Sequence, residues 1–121
     1  MRLRNLVPMA YVKDVRASIA FYAMLGLECV DTVMIDASDE IAWACLEAGD
    51  AALMLALASD AVVPSQQAIL FYLYVDEVEA AHRQLVRAGL VVSQISYPIY
   101  CPDGEFRLID PDGYCLMITH M

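Results

Sequence analysis

The sequence predicts an α+β fold made of two tandem β-α-β-β-β modules within a single domain, residues 1–121. Three observations carry this expectation. The chain repeats itself at a constant offset; each copy runs extended, then helical, then extended three times; and a glycine stands where each helix must stop. With the sequence laid on itself at an offset of 63 residues, Val12-Lys13-Asp14-Val15 falls on Val75-Asp76-Glu77-Val78, and Gly26-Leu27 falls on Gly89-Leu90. Trp43 meets Phe106, Leu53 meets Leu116, Met54 meets Met117 and Leu55 meets Ile118, with no gap needed. A duplicated unit of this size is a repeated supersecondary module, and the copies fall at about 5–58 and 68–120.

Each element has a local reason. Leu6–Val12 and Ile69–Val75 are apolar, aromatic and rich in β-formers, so both are expected to be strands. Asp14 is placed to start the first helix, and Asp76 with Glu79 has capping-box spacing at the start of the second. Helical periodicity follows in Val15, Ile19, Tyr22 and Ala23, and again in Val78, Ala81 and Leu85. After Gly26 come extended stretches at roughly 27–35, 41–47 and 51–58; after Gly89 they fall at roughly 90–96, 105–109 and 113–119. Asp110-Pro111-Asp112-Gly113 reads as a tight turn, with Pro presetting one dihedral and Gly taking the positive one, and Glu47-Ala48-Gly49-Asp50 is its counterpart. Strand alternation turns Leu53, Leu55, Leu116 and Ile118 to the helices and Met54 and Met117 to the other face.

Composition excludes several function classes. Lys and Arg total 7 against 16 Asp and Glu, a net charge of −9. That balance argues against nucleic acid and against an anionic membrane surface, and favours a cationic ligand. The longest apolar runs, Ala51–Ala58 and Ala68–Val75, are eight residues each, well short of the roughly 20 that a spanning helix needs. The start of the chain lacks a signal-peptide pattern, so a cytoplasmic protein is expected. The 4 cysteines have no C-x-x-C spacing and the histidines number 2; free, mostly buried thiols are expected rather than a structural zinc site. Apolar residues make up 60% of the chain and mean hydropathy is +0.54. In so short a chain that surplus points to a subunit interface, an apolar cavity, or both.

Several motifs carry a family resemblance: the strand ending in Val12-Lys13-Asp14-Val15, the helix Ala17-Ser18-Ile19-Ala20-Phe21-Tyr22 closing on Leu25-Gly26-Leu27, and the final Asp110-Pro111-Asp112-Gly113-Tyr114-Cys115-Leu116 segment. Together they resemble the glyoxalase/bleomycin-resistance/extradiol-dioxygenase superfamily, the vicinal oxygen chelate proteins, over nearly the whole chain. The resemblance implies half-barrel modules around a cleft, and homodimers. It also implies a divalent-metal site at four strand positions, which here are Val7, Met54, Leu70 and Met117. None of these side chains is a ligand for a hard or borderline cation, so no metal and no cofactor are expected.

On the same resemblance the inward strand faces read Val7, Met9 and Tyr11, then Leu70, Tyr72 and Tyr74, then Met54, then Cys115, Met117 and Thr119. Trp43 either packs under the helix or lines the cleft. Tyr100 belongs to a Tyr- and Pro-bearing arm over 96–104 that either covers the cleft or is a plain surface loop. Arg107 and Glu105 share a face and either orient a ligand or pair in solvent. The candidate ligand-binding set is Met9, Tyr11, Trp43, Met54, Leu70, Tyr72, Tyr100, Arg107, Cys115 and Met117. His82 and His120 are expected on the solvent side, and Asp36–Glu40 is an acidic turn. The expected function is metal-free sequestration, in a dimer cleft, of a bulky aromatic or cationic small molecule such as an antibiotic. The alternatives are a metal-free lyase or isomerase using Glu105, Arg107, Cys115 or a tyrosine as acid–base groups, and an interaction module whose surface is its function.

Overall fold

The computed structural model describes residues 1–121, which divide into two compact units, Met1–Val62 and Val63–Met121. The first holds β1 (Met9–Val12), α1 (Val15–Met24), β2 (Glu28–Met34), β3 (Ile41–Ala48) and β4 (Ala51–Leu57). Its four strands lie in the order β1-β4-β3-β2, with β1 parallel to β4 and the other pairs antiparallel. The second holds a 3-10 turn at Pro64–Gln66, β5 (Leu70–Val75), α2 (Val78–Arg87), β6 (Glu105–Ile109) and β7 (Cys115–His120). Its three strands lie in the order β5-β7-β6, with β5 parallel to β7 and β6 antiparallel to it. The architecture is α+β, one helix against one small sheet in each unit.

Both helices end by the same device. Gly26 (φ 94°) and Gly89 (φ 85°) take the left-handed conformation. Gly26 N–H donates to Ala23 and Leu27 N–H to Tyr22; Gly89 N–H donates to Val86 and Leu90 N–H to Leu85, at 3.0–3.1 Å. These are paired Schellman bonds, which satisfy carbonyls the helix would otherwise orphan. At the first helix start the Asp14 carboxylate accepts from Ala17 N–H at 3.0 Å. The second start departs from the expected capping box: Glu77, not Asp76, is the N-cap, without a side-chain bond, which puts Glu79 one residue short of the capping-box position, and its carboxylate accepts the Tyr97 hydroxyl at 2.7 Å.

The cores follow the alternation. Val12, Val15, Tyr22, Leu46 and Leu55 are fully buried in the first unit, and Val78, Leu85, Phe106, Leu116 and Ile118 in the second. Fully burying a side chain of this size stabilises by about 1.5–3 kcal/mol. The buried face of α1 carries Ser18 and Phe21, while Ala23 is exposed.

The structure corrects four further expectations. The first strand starts at Met9 rather than Leu6; Pro8 has no N–H to give a ladder, although its carbonyl accepts Met54 N–H at 2.9 Å. The stretch 90–96 is no regular strand, only a single bridge between Ser96 and Glu105. At Ser93 the ladder is diverted: Arg107 N–H donates to the Ser93 hydroxyl at 2.9 Å, and the Ser93 carbonyl is engaged by His82 Nε2 at 2.9 Å. A side-chain oxygen has replaced a backbone one, as Ser does when it competes with regular structure. His82 is therefore half-buried rather than solvent-facing, its ring edge-on to Phe106 at 4.9 Å. All 4 cysteines are free, as expected, but each is half-buried rather than buried.

The repeat also carries a one-residue slip. Trp43 pairs with Ala56, so an ungapped offset of 63 would pair Phe106 with Thr119; the observed partner of Phe106 is Ile118. The first hairpin joins Ala48 to Ala51, whereas the second joins Ile109 to Cys115 through the longer Asp110–Tyr114 turn. In that turn the buried Asp110 carboxylate accepts the N–H groups of Asp112 and Tyr114 at 2.8 and 2.9 Å. A slip of one residue reverses the face of every side chain on a strand. Phe106 thus packs beneath α2, and Trp43 takes the opposite face of its sheet.

Candidate ligand-binding faces

Each sheet has one face under its helix and one open face. On the three-stranded sheet, β5 contributes Leu70, Tyr72 and Tyr74 to the open face, β7 contributes Cys115, Met117 and Thr119, and β6 contributes Ile109, Arg107 and Glu105. The register arranges them in three rows: Leu70–Cys115–Ile109, Tyr72–Met117–Arg107 and Tyr74–Thr119–Glu105. The main-chain groups of Glu105 and Arg107 bond outward to Ser96 and Ser93, so their β7 neighbours are non-hydrogen-bonded partners. Such pairs bring Cα atoms to about 4.5 Å and their side chains into contact. Leu70, Tyr72 and Tyr74 are each at least half exposed, and the two tyrosine rings lie 6.4 Å apart, tilted by 30°.

On the four-stranded sheet the open face carries Met9 beside Met54, Met54 beside Cys45 and Cys45 beside Asp31, then Tyr11 beside Ala56, Ala56 beside Trp43 and Trp43 beside Val33. This resolves the position of Trp43 in favour of the open face. Burial, then Glu47, Asp31 and Cys29, raise the Cys45 thiol, keeping it neutral. Val7 precedes the strand.

Of the ten candidate residues, Met9, Tyr11, Trp43 and Met54 share the first open face, and Leu70, Tyr72, Arg107, Cys115 and Met117 share the second. Tyr100 comes from the connection before β6. Its hydroxyl donates to Glu105 Oε1 at 2.8 Å, and this hydrogen bond, then the carboxylate charge, raise its pKa. Cys101 Sγ lies 3.1 Å from Thr119 Oγ1, so segment 96–104 is tied both to the edge strand β6 and to the central strand β7 of its own sheet. Glu105 is 7% exposed and forms no ion pair with Arg107; each follows its own chemistry rather than pairing with the other. Cys45 and Ile109 are open-face residues that sequence reasoning missed, because only cross-strand register places them beside Met54 and Cys115. His120 is exposed, with Nδ1 3.5 Å from Asp103 Oδ2. Asp36–Asp39 of the acidic turn, with Met34 and Ile35, line a shallow surface cavity of about 480 Å³; the Asp39 carbonyl accepts from the Arg16 guanidinium at 2.9 Å.

The model of the Glyoxalase/Bleomycin resistance protein/Dioxygenase superfamily matches residues 6–118. The chain belongs to this superfamily. Similar superfamily folds include a bleomycin resistance determinant encoded on transposon Tn5, with TM-score 0.76, 21% identity and 98% of both chains covered. The bleomycin-binding protein of Streptomyces verticillus, complexed with copper(II)-bleomycin, aligns at TM-score 0.70 and 20% identity, over 100% of this chain and 98% of that one. TnmS3, an antibiotic binding protein from Streptomyces sp. CB03234, aligns at TM-score 0.76 and 17% identity, over 99% and 98%. No curated protein matches the sequence. The fold is thus the glyoxalase/bleomycin-resistance fold.

The divalent ion usual in superfamily enzymes does not fit the residues present here. Met54 lies between Met9 and Cys45, Leu70 beside Cys115, and Met117 between Tyr72 and the cationic Arg107. Hard and borderline cations need carboxylate oxygen or imidazole nitrogen, and no group of three His, Cys, Asp or Glu side chains converges to hold an ion. What these faces offer is contact area, stacking surface and a few hydroxyls.

Proposed function

We propose that this protein is a metal-independent binder of the bleomycin-resistance type, which sequesters a bulky, ring-containing small molecule such as an antibiotic. In this reading residues 1–121 act as one domain, within a cytoplasmic homodimer. One observation carries it: the open face of the second sheet presents Leu70, Tyr72 and Tyr74, each at least half exposed, around a Met117 that occupies a ligand position of the superfamily. Tyrosine and methionine supply polarisable area and stacking geometry with little polar commitment, as suits a large flat ligand. The superfamily neighbours that bind bleomycin, or another antibiotic, support the same direction. No helix is long and apolar enough to cross a membrane.

The single tryptophan, Trp43, lies on the open face of the other sheet and serves as a reporter. Titration with a panel of glycopeptide and intercalating antibiotics is expected to change its fluorescence saturably for at least one member. Absence of saturable binding across the panel, checked by calorimetry, overturns the proposal. Incubation with Mg, Mn, Fe(II), Ni and Zn followed by desalting is expected to leave no stoichiometric ion by elemental mass spectrometry; one tight ion per chain returns the enzyme reading to the front.

A further inference from the structure

We propose that Arg107 makes the open face of the three-stranded sheet selective for aromatic anions, planar ring systems that carry a carboxylate, sulfonate or similar acidic group. This rests on the ligand-binding reading above and names the ligand's charge. It also runs against the −9 net charge of the chain, which taken alone favours a cation.

The middle row of the face, Tyr72–Met117–Arg107, spans three adjacent strands, about 10 Å at the usual strand spacing. That is the length of a two-ring aromatic system. Tyr72 is 50% exposed and Met117 is half-buried, giving an aromatic and thioether platform, with the exposed Arg107 at its end. The Arg107 guanidinium has no hydrogen-bond or ion-pair partner of its own. The other charged group on the face is Glu105, on the same strand; its carboxylate is buried and occupied by the Tyr100 hydroxyl. The β5 and β7 residues of the face, Leu70, Tyr72, Tyr74, Cys115, Met117 and Thr119, bring no charge. The backbone at Arg107 is anchored, its N–H donating to Ser93 Oγ and its carbonyl accepting Ser93 N–H, both at 2.9 Å, which fixes the strand position from which the side chain projects. A guanidinium fork free of protein partners can match an oxyanion in two parallel hydrogen bonds. The acidic residues elsewhere act through solvent and are screened within about 8 Å at physiological salt, so the contact charge decides the preference.

The test uses two dyes with the same ring system, 8-anilinonaphthalene-1-sulfonate and its uncharged parent N-phenyl-1-naphthylamine. The sulfonate is expected to bind at least about tenfold more tightly, a difference of about 1.4 kcal/mol. Arg107→Gln is expected to weaken the sulfonate at least about tenfold more than the neutral dye, removing that preference, and Tyr72→Ala to weaken both dyes and keep it. Equal affinity for the two dyes, or a preference that survives Arg107→Gln, overturns the charge assignment and leaves the aromatic-binding reading standing. Failure of both dyes to bind saturably overturns the assignment and counts against that reading as well.

Discussion

Tyr100 and Glu105 show how one hydrogen bond sets the chemistry of a surface arm. The Tyr100 hydroxyl donates to a buried carboxylate, and that bond raises the phenol above its ordinary range. A raised acid favours its protonated form in the folded chain. Its contribution to stability is therefore complete below the ordinary tyrosine value of about 10 and is lost as pH rises through the higher folded value. Glu105→Gln is expected to bring Tyr100 back towards the ordinary range, read as the phenolate absorbance near 295 nm against pH; an unchanged titration curve would show that the carboxylate does not control it. The same bond makes Tyr100 a weaker acid and engages one oxygen of the Glu105 carboxylate.

At the scale of elements, the slip between β3 and β6 separates two aromatic residues that the sequence aligns. Phe106 is 2% exposed and edge-on to His82, whereas Trp43 is half-buried on an open face. Phe106→Ala is expected to cost about 3–5 kcal/mol in denaturant unfolding, and Trp43→Ala clearly less; equal losses would contradict the register. The turn that causes the slip has its own constraint. Gly113 has φ 90° and packs on Pro64, where an added Cβ would stand 2.5 Å from backbone atoms. Gly113→Ala is thus expected to destabilise more than Gly89→Ala, whose Cβ meets open space. Ser93→Ala is expected to accelerate amide exchange at Arg107, because it removes the oxygen that accepts that N–H.

For the molecule as a whole, net charge is a global term. A net charge of −9 on 121 residues sets self-repulsion against the compact state. Raising ionic strength from about 0.01 M to about 0.1 M shortens the screening length from about 30 to about 10 Å, so the melting temperature is expected to rise with salt. A flat or falling dependence, measured calorimetrically, would show that local pairs outweigh the net repulsion. The exposed Leu70, Tyr72 and Tyr74 account for part of the apolar surplus in the composition: side chains usually kept in a core stand on an open sheet face.

The sequence by itself determined the α+β class, both glycine-terminated helices and seven of the eight expected strands, because these depend on local periodicity and on dihedrals that few residues adopt. It also named the side chains, Val7, Met54, Leu70 and Met117, that stand where the superfamily resemblance puts a metal site, and none of them is a hard-cation donor. Only the tertiary structure decided the rest. Which face Trp43 and Phe106 take depends on cross-strand register, and the one-residue slip that comes with the longer second turn reverses it. Whether 90–96 forms a strand depends on the Ser93 hydroxyl and on His82, eleven residues away, competing for groups that a ladder would use. The isolated charge of Arg107 emerges only when Glu105 is seen to be held by Tyr100, a contact between side chains whose meeting no sequence pattern announces.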